Sequence, residues 1–165
     1  MQESVLIIGA GSGLSASLAR LCKSKGMKVI LAARNISKLK QLKKEIQADT
    51  IKCDATNIKS VENLFKQTDK IIGVPNLVIY NPSKSLGGSV VDLDPKKAHE
   101  AINVTCYGGF LVAQQAAKRM LKKKGGSIFF TGATASIKGF SNSSVFAMGK
   151  FGLRGLAQSL ARELH

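Results

Sequence analysis

The run Ile8-Gly9-Ala10-Gly11-Ser12-Gly13-Leu14-Ser15 carries the first chemistry legible in the chain. It is a glycine-rich turn leading from an apolar strand into a helical pattern. Glycine permits the tight turn and lets backbone N–H groups approach a pyrophosphate, and a helix N-terminus adds partial positive charge. The common Gly-x-Gly-x-x-Gly spacing fails, because Leu14 stands where its last glycine would be, while a Gly-x-x-x-Gly spacing holds for Gly9 and Gly13. A merely structural turn would use the same glycines. Their place between the first strand and first helix of an α/β chain favours phosphate binding. A dinucleotide's ribose end would sit about 20 residues further on, where a carboxylate selects NAD. Here the chain reads Ala32-Ala33-Arg34-Asn35. No carboxylate repels a 2′-phosphate, and Arg34 can make a charge-assisted bond to one, so NADP(H) is preferred over NAD(H). The competing reading makes Arg34 a solvated loop residue.

The elements that must position these residues alternate along the chain. Strands are expected at Val5–Ile8, Lys28–Leu31, Thr50–Cys53, Leu77–Tyr80 and Ser127–Phe130. Helices are expected over 13–25, 36–47 and 57–68, in a long pattern after Tyr80 to about Lys123, and from about Ser144 to Leu164. Gly125-Gly126 would stop the long helix, as glycine does at a C′ position. Strand–helix alternation means a parallel sheet covered on both faces, and right-handed crossovers leave a doubly wound, Rossmann-type α/β fold. The whole chain, 1–165, reads as one dinucleotide-binding domain. In the last helix Gly149, Gly152 and Gly155 each cost about 1 kcal/mol against alanine. Their spacing suggests that a helix, a cofactor or a second subunit lies against that face.

Composition narrows the function classes. Hydrophobic residues make up 44% of the 165, enough for a core, and no apolar stretch is long enough to cross a bilayer. Cys22, Cys53 and Cys106 show no metal-ligand or Cys-x-x-Cys spacing and read as reduced, buried thiols of a cytoplasmic protein. The net charge of +15 is open to an anionic partner. The lysines are, however, spread over several helices, and aromatic content is only 5%, so solvated helix faces are the preferred reading and nucleic-acid binding ranks last.

Taken together, these motifs resemble the short-chain dehydrogenases/reductases. The glycine spacing fits that family, with Ser15 in place of its last glycine and Ile8 in place of its threonine. Cys53-Asp54-Ala55 resembles the end of its third strand, where the resemblance implies that the aspartate contacts the adenine amino group. Tyr80-Asn81-Pro82-Ser83 resembles an altered Asn-Ala-Gly turn, and Ile102-Asn103-Val104 the site of the family's active-site asparagine. The similarity runs over essentially the whole chain. It implies cofactor contacts at Gly9, Gly11, Ser12, Gly13, Leu14, Arg34, Asn35, Asp54, Ala55, Asn81 and Lys150. It also implies an Asn, Ser, Tyr, Lys tetrad acting on a small carbonyl or alcohol substrate. Hydride addition to a carbonyl makes an alkoxide that needs a proton, and a tyrosine whose pKa is lowered by a nearby ammonium supplies it.

Two members of that tetrad are replaced. The Tyr-x-x-x-Lys motif reads Phe146-Ala147-Met148-Gly149-Lys150, and the serine position falls on Ala133, while Asn103 and Lys150 remain. A shift of one residue would bring Thr134 into the serine role. The only tyrosines are Tyr80 and Tyr107, and both are expected to pack rather than to serve as acids. Losing a general acid typically costs about 10²–10⁴ in rate. Two functions follow: an NADP(H)-dependent oxidoreductase with a degenerate tetrad, which is preferred, and a non-catalytic nucleotide-binding or scaffold protein. In the family a further strand, a Pro-Gly turn and a substrate-covering segment follow the last helix. The chain is therefore expected to be a truncated piece whose fifth strand is an exposed edge. Pairing through the two long helices into a homo-oligomer is also implied.

Overall fold

A computed structural model describes residues 2–164; Met1 and His165, the ends of the expected domain, lie outside the described residues. The strands are β1 (Ser4–Ile8), β2 (Lys28–Ala33), β3 (Asp49–Lys52), β4 (Leu77–Tyr80) and β5 (Ser127–Phe130). They form a parallel sheet in the order β3-β2-β1-β4-β5. The fold is therefore the Rossmann-type α/β arrangement expected from the alternation. β1 lies at the centre, and Val5, Leu6, Ile7 and Ile8 are all at most 1% exposed. Because side chains alternate across a strand, Leu6 and Ile8 enter one core and Val5 and Ile7 the other. Burying each such side chain contributes roughly 1.5–3 kcal/mol, so the central strand holds both faces at once.

The helices are α1 (Leu14–Ser24), α2 (Lys40–Ile46), α3 (Ile58–Ile72), α4 (Pro95–Ile102), α5 (Gly108–Lys123) and α6 (Ser144–Glu163). α1 and α2 contribute Ala16, Ala19, Leu42 and Ile46 to one core, while Leu64 and Phe65 of α3, Val112 and Ala116 of α5 and Leu153 of α6 fill the other. Caps fix several boundaries. Asn57 accepts from the Ser60 N–H at 2.9 Å before α3, and Asp94 accepts from the Lys96 N–H at 2.7 Å before α4, with Pro95 at the first helical position.

Several boundaries differ from those expected. Cys53 lies just past β3. The segment 36–47 begins as a tight 3₁₀ turn over Ile36–Leu39, because the Asn35 side chain accepts from the Ser37 N–H and pulls the chain in. The helix after Tyr80 does not begin there. Residues 81–94 are irregular, and Asp94-Pro95 is the starting signal that the long apolar pattern concealed. α5 ends at Lys123, and Lys124, with a left-handed φ of 59°, takes the C-terminal turn position expected of Gly125, while Gly126 follows with a φ of 149°.

Between α4 and α5 the helix widens into one π turn, Asn103–Tyr107, in which the Gly108 N–H donates to the Asn103 carbonyl. The Tyr80 hydroxyl donates to the Val104 carbonyl within that turn. Tyr80 is wholly buried, and a side chain at Gly108 would overlap its hydroxyl oxygen. The expected packing role of Tyr80 therefore has a specific form, a clamp from the end of β4 onto the wide turn. The last helix explains two of its three glycines. A Cβ at Gly149 would lie 3.0 Å from the Thr105 Cβ, and one at Gly152 would lie 2.8 Å from the Cys106 sulfur. The neighbour on that face is the π turn itself; nothing lies within 4 Å of a Cβ built at Gly155.

Replacing Tyr80 by Phe removes this donor from the part-buried Val104 carbonyl. Losing such a bond costs about 0.5–1.5 kcal/mol. Urea unfolding of Tyr80→Phe should show a lower midpoint at unchanged slope, and an unaltered midpoint would mean that the clamp contributes nothing.

Candidate active site

The five strands point their carboxyl ends to one edge, and two depressions open there. The larger is a cleft of about 590 Å³ lined by Gly9, Gly11, Ser12, Arg34, Asn35, Asp54, Ala55 and Asn81 among others. Local bonds shape it. The N–H groups of Gly9 and Ala10 both donate to the Ala32 carbonyl, at 2.9 and 3.0 Å, which bends the chain sharply off β1. Gly9 has a φ of +77°, and a Cβ there would lie 2.7 Å from the Pro82 nitrogen, so only glycine fits between the first turn and the turn after β4. Ser15 is buried and its hydroxyl accepts from the Gly11 N–H at 2.9 Å. The serine that departs from the family's glycine thus braces the loop. α1 starts at Gly13 with no side-chain cap and no acidic residue in its first turn, which leaves its N-terminal N–H groups to an anion.

At the far end of the cleft stand Arg34 and Lys38. The ion pairs among the described residues are Arg20–Glu45, Lys84–Glu100 and Arg119–Asp69, so neither cleft cation has a carboxylate within 4.0 Å. Asp54 lines the middle, but its Oδ1 accepts from the backbone and hydroxyl of Thr56 at 3.0 and 2.8 Å and so also fixes its own turn. Asn35 likewise has a local duty, since its Oδ1 accepts from the N–H and hydroxyl of Ser37. Sequence reasoning missed Lys38, Thr56, Pro82, Ser83 and Val104 in this lining. Lys38 read as one of many lysines on a solvated helix; the 3₁₀ turn that brings it back toward Arg34 has no signal in apolar periodicity.

Gly13, Leu14 and Lys150, expected among the cofactor contacts, do not line the cleft. Gly13 ends the turn, and Leu14 opens α1 with its side chain 53% exposed. Lys150 lies one strand further on, in a second cavity of about 200 Å³ that it shares with Ala133. Lys150 is 3% exposed. Its ammonium donates to the Thr131 carbonyl at 2.7 Å and lies 5.8 Å from the centre of the Phe146 ring. Phenylalanine thus faces the ammonium without offering it a hydroxyl. Burial pushes the Lys150 pKa down from the ordinary lysine value. Phe146 lines neither depression, and Asn103 borders the cleft only through its neighbour Val104.

The candidate hydroxyls separate clearly. Thr134 is exposed at the start of a short 3₁₀ turn, Thr134–Ser136, whereas Ser136 is buried and accepts from the Ala133 N–H at 3.1 Å. Tyr80 spends its proton on Val104, and burial, with Cys106, Cys53 and Asp54 nearby, raises its pKa well above the ordinary tyrosine range. Tyr107 is 40% exposed and stacks on Phe110.

A glycine-lined cleft at the carboxyl edge of a doubly wound sheet, beside a buried lysine on its last helix, is the arrangement of a nucleotide-binding α/β fold. The chain belongs to the short chain dehydrogenase family, whose sequence profile matches residues 3–165. It is 30% identical to an uncharacterized oxidoreductase of Staphylococcus aureus (strain USA300), over 96% of this chain and 70% of that protein. Among solved structures, a short-chain dehydrogenase from Rhodopseudomonas palustris superposes with a TM-score of 0.92 at 33% identity, covering 98% of this chain and 78% of the other. A variant of actinorhodin polyketide ketoreductase solved with NADPH superposes with a TM-score of 0.95 at 25% identity, covering 99% and 65%.

The depressed Lys150 pKa has a consequence for stability. Unfolding restores the ordinary value of about 10.4, so between the two values the unfolded chain binds more protons and stability rises with pH. The difference in unfolding free energy between the protein and Lys150→Met should change with pH through that alkaline window. Parallel pH curves for the two proteins would contradict the burial effect.

Proposed function

We propose that the chain is the cofactor-binding core of an NADP(H)-dependent oxidoreductase acting on a carbonyl or alcohol, with Lys150 in the acid role that the family motif gives to tyrosine. The observation that carries the cofactor reading is the pair of unneutralised cations, Arg34 and Lys38, at the end of the cleft away from Lys150. The residues fit the dinucleotide. Gly11, in the cleft lining, leaves nothing within 4 Å of a built Cβ, so its backbone face stands open to a pyrophosphate. The N-terminus of α1 would support its charge, Asp54 and Ala55 would border the base, and Arg34 with Lys38 would meet the 2′-phosphate. When bound, the reduced nicotinamide supplies a hydride.

The remaining chemistry belongs to the protein. An alkoxide forming in the smaller cavity meets the Lys150 ammonium, which the Thr131 carbonyl orients. Elimination supports this role. The Tyr80 hydroxyl is committed to Val104, Tyr107 lies outside both depressions, and Ala133 and Phe146 carry no acidic proton. A lysine whose pKa is depressed is also a better acid than an ordinary one. The loss of both family hydroxyls favours a second reading, nucleotide binding without turnover.

Titration with NADPH and NADH, followed by nicotinamide fluorescence, tests the first part. NADPH should bind more tightly, and Arg34→Gln should weaken NADPH about 10- to 100-fold while leaving NADH nearly unchanged. Equal affinity for the two cofactors would overturn the assignment.

Turnover on a panel of ketones and aldehydes tests the second part. Lys150→Met should abolish it, and in the unaltered protein the rate should fall as pH rises through the depressed Lys150 pKa, since the protonated form is the donor. Binding without turnover would establish the non-catalytic reading.

A further inference from the structure

The end of the main cleft that holds Arg34 and Lys38 also carries an exposed serine. Ser37 lies in the 3₁₀ turn Ile36–Leu39, between the cleft-lining residues Asn35 and Lys38. Its hydroxyl donates to the Asn35 Oδ1 at 2.6 Å, which places its oxygen at the rim of the cleft. The bond can be given up without freeing Asn35, because the Ser37 N–H donates to the same Oδ1 at 3.0 Å.

Cationic side chains surround this hydroxyl along the chain. Arg34 precedes Ser37 by three residues, Lys38 follows it, and Lys40 lies three residues beyond; all three are exposed. Among the described residues none of the three has a carboxylate within 4.0 Å. An arginine three residues before a serine is a charge pattern that basic-directed serine/threonine kinases read with acidic pockets. The other exposed serines of the cleft lack it, since residues 9–11 before Ser12 and 80–82 before Ser83 include no basic residue.

Position decides what a phosphate on Ser37 would do. Phosphoserine carries about −1.5 to −2 charges at pH 7 and three strong acceptor oxygens. Arginine and lysine offer only donors, and guanidinium meets phosphate through paired bonds. A phosphate on Ser37 would therefore turn to Arg34 and Lys38, its neighbours in the chain. It has the charge and the acceptor chemistry of a cofactor 2′-phosphate, so the two would exclude each other. A ribose with a free 2′-hydroxyl brings no such charge, which is why a carboxylate at this end of the fold selects NAD.

We propose that Ser37 is a phosphorylation site, and that phosphate there turns the cofactor preference from NADPH to NADH. The switch rests on the reading of Arg34 and Lys38 as the 2′-phosphate site; the modification site does not. In the transfer, the Ser37 Oγ bonds to the γ-phosphorus of ATP and the bond from that phosphorus to the β–γ bridging oxygen breaks. ADP leaves, and the hydroxyl proton passes to the kinase's base. Nothing is oxidised or reduced.

Incubation of the chain with ATP and the catalytic subunit of cyclic-AMP-dependent protein kinase, a basic-directed enzyme, tests both parts. Mass spectrometry places the phosphate, and nicotinamide fluorescence follows the two cofactors. Phosphate should enter on Ser37, and the Ser37→Ala variant should lose that uptake. The phosphorylated chain should bind NADPH about 10- to 100-fold more weakly than the unmodified chain, with NADH affinity nearly unchanged. Ser37→Asp, which needs no kinase, should weaken NADPH in the same direction by several-fold. Absence of phosphate from Ser37 would overturn the site. Complete phosphorylation of Ser37 that leaves an existing NADPH preference in place, or that weakens both cofactors equally, would overturn the switch alone. Equal affinity of the unmodified chain for NADPH and NADH would sink the cofactor reading and the switch with it, while phosphate found on Ser37 would still establish the modification site.

Discussion

Every feature of the site depends on the need to bury both faces of a parallel sheet. A strand covered by helices on both sides must be apolar at every position, as β1 is from Val5 to Ile8. Chain that leaves such a strand cannot keep its polar groups inside, so each connection exits at the carboxyl edge. There the free ends satisfy one another: Gly9 and Ala10 on Ala32, Asn81 on Ile8, Cys53 on Ala33, and Thr131 on Tyr80. These bonds gather the glycine loop, Arg34, Asp54 and Asn81 around one cleft although they are distant in sequence. The sheet is the reason that the glycine loop lines a cleft and is not merely a turn.

The strands and the overall order of elements were legible because apolar runs and helical periodicity report burial directly. Lys28, Leu77, Tyr80, Ser127 and Phe130 mark boundaries that the sequence pattern and the structure share. What periodicity conceals is local hydrogen bonding. The Asn35 side chain tightens 36–39, the π turn hides inside a continuous helical pattern, and the start of α4 depends on Asp94 and Pro95. The site shows the same division. The glycines, Arg34 and Asp54 could be read from their positions after strands. The placement of Lys150 and Ala133 in a cavity of their own, apart from the main cleft, could not, because it depends on how α6 packs across the π turn. Lys38 was hidden in plain sight among 25 basic residues.

The replacement of a tyrosine by Phe146 changes more than the supply of a proton. A phenol beside an ammonium shares hydrogen bonds with it and is polarised by it. A phenyl ring offers only its face, at 5.8 Å from the Lys150 nitrogen, and adds apolar volume around a charge that has little access to water. The lysine is left to a backbone carbonyl and a ring, and its burial depresses its pKa.

Strand β5 is the outermost of the sheet, with Phe129 58% exposed and an apolar groove beside it between α5 and α6. Among the described residues no strand pairs with its outer edge, and such an edge is a template on which another extended chain can add. The molecule carries a net charge of +15, and like-charged molecules repel over about 10 Å at 0.1 M salt but over only about 3 Å at 1 M. Colloidal stability therefore rests on long-range repulsion that ionic strength removes, whereas the attraction at the strand edge acts only at contact. Charge therefore opposes the approach of two such edges in dilute buffer, and that opposition fades in concentrated salt.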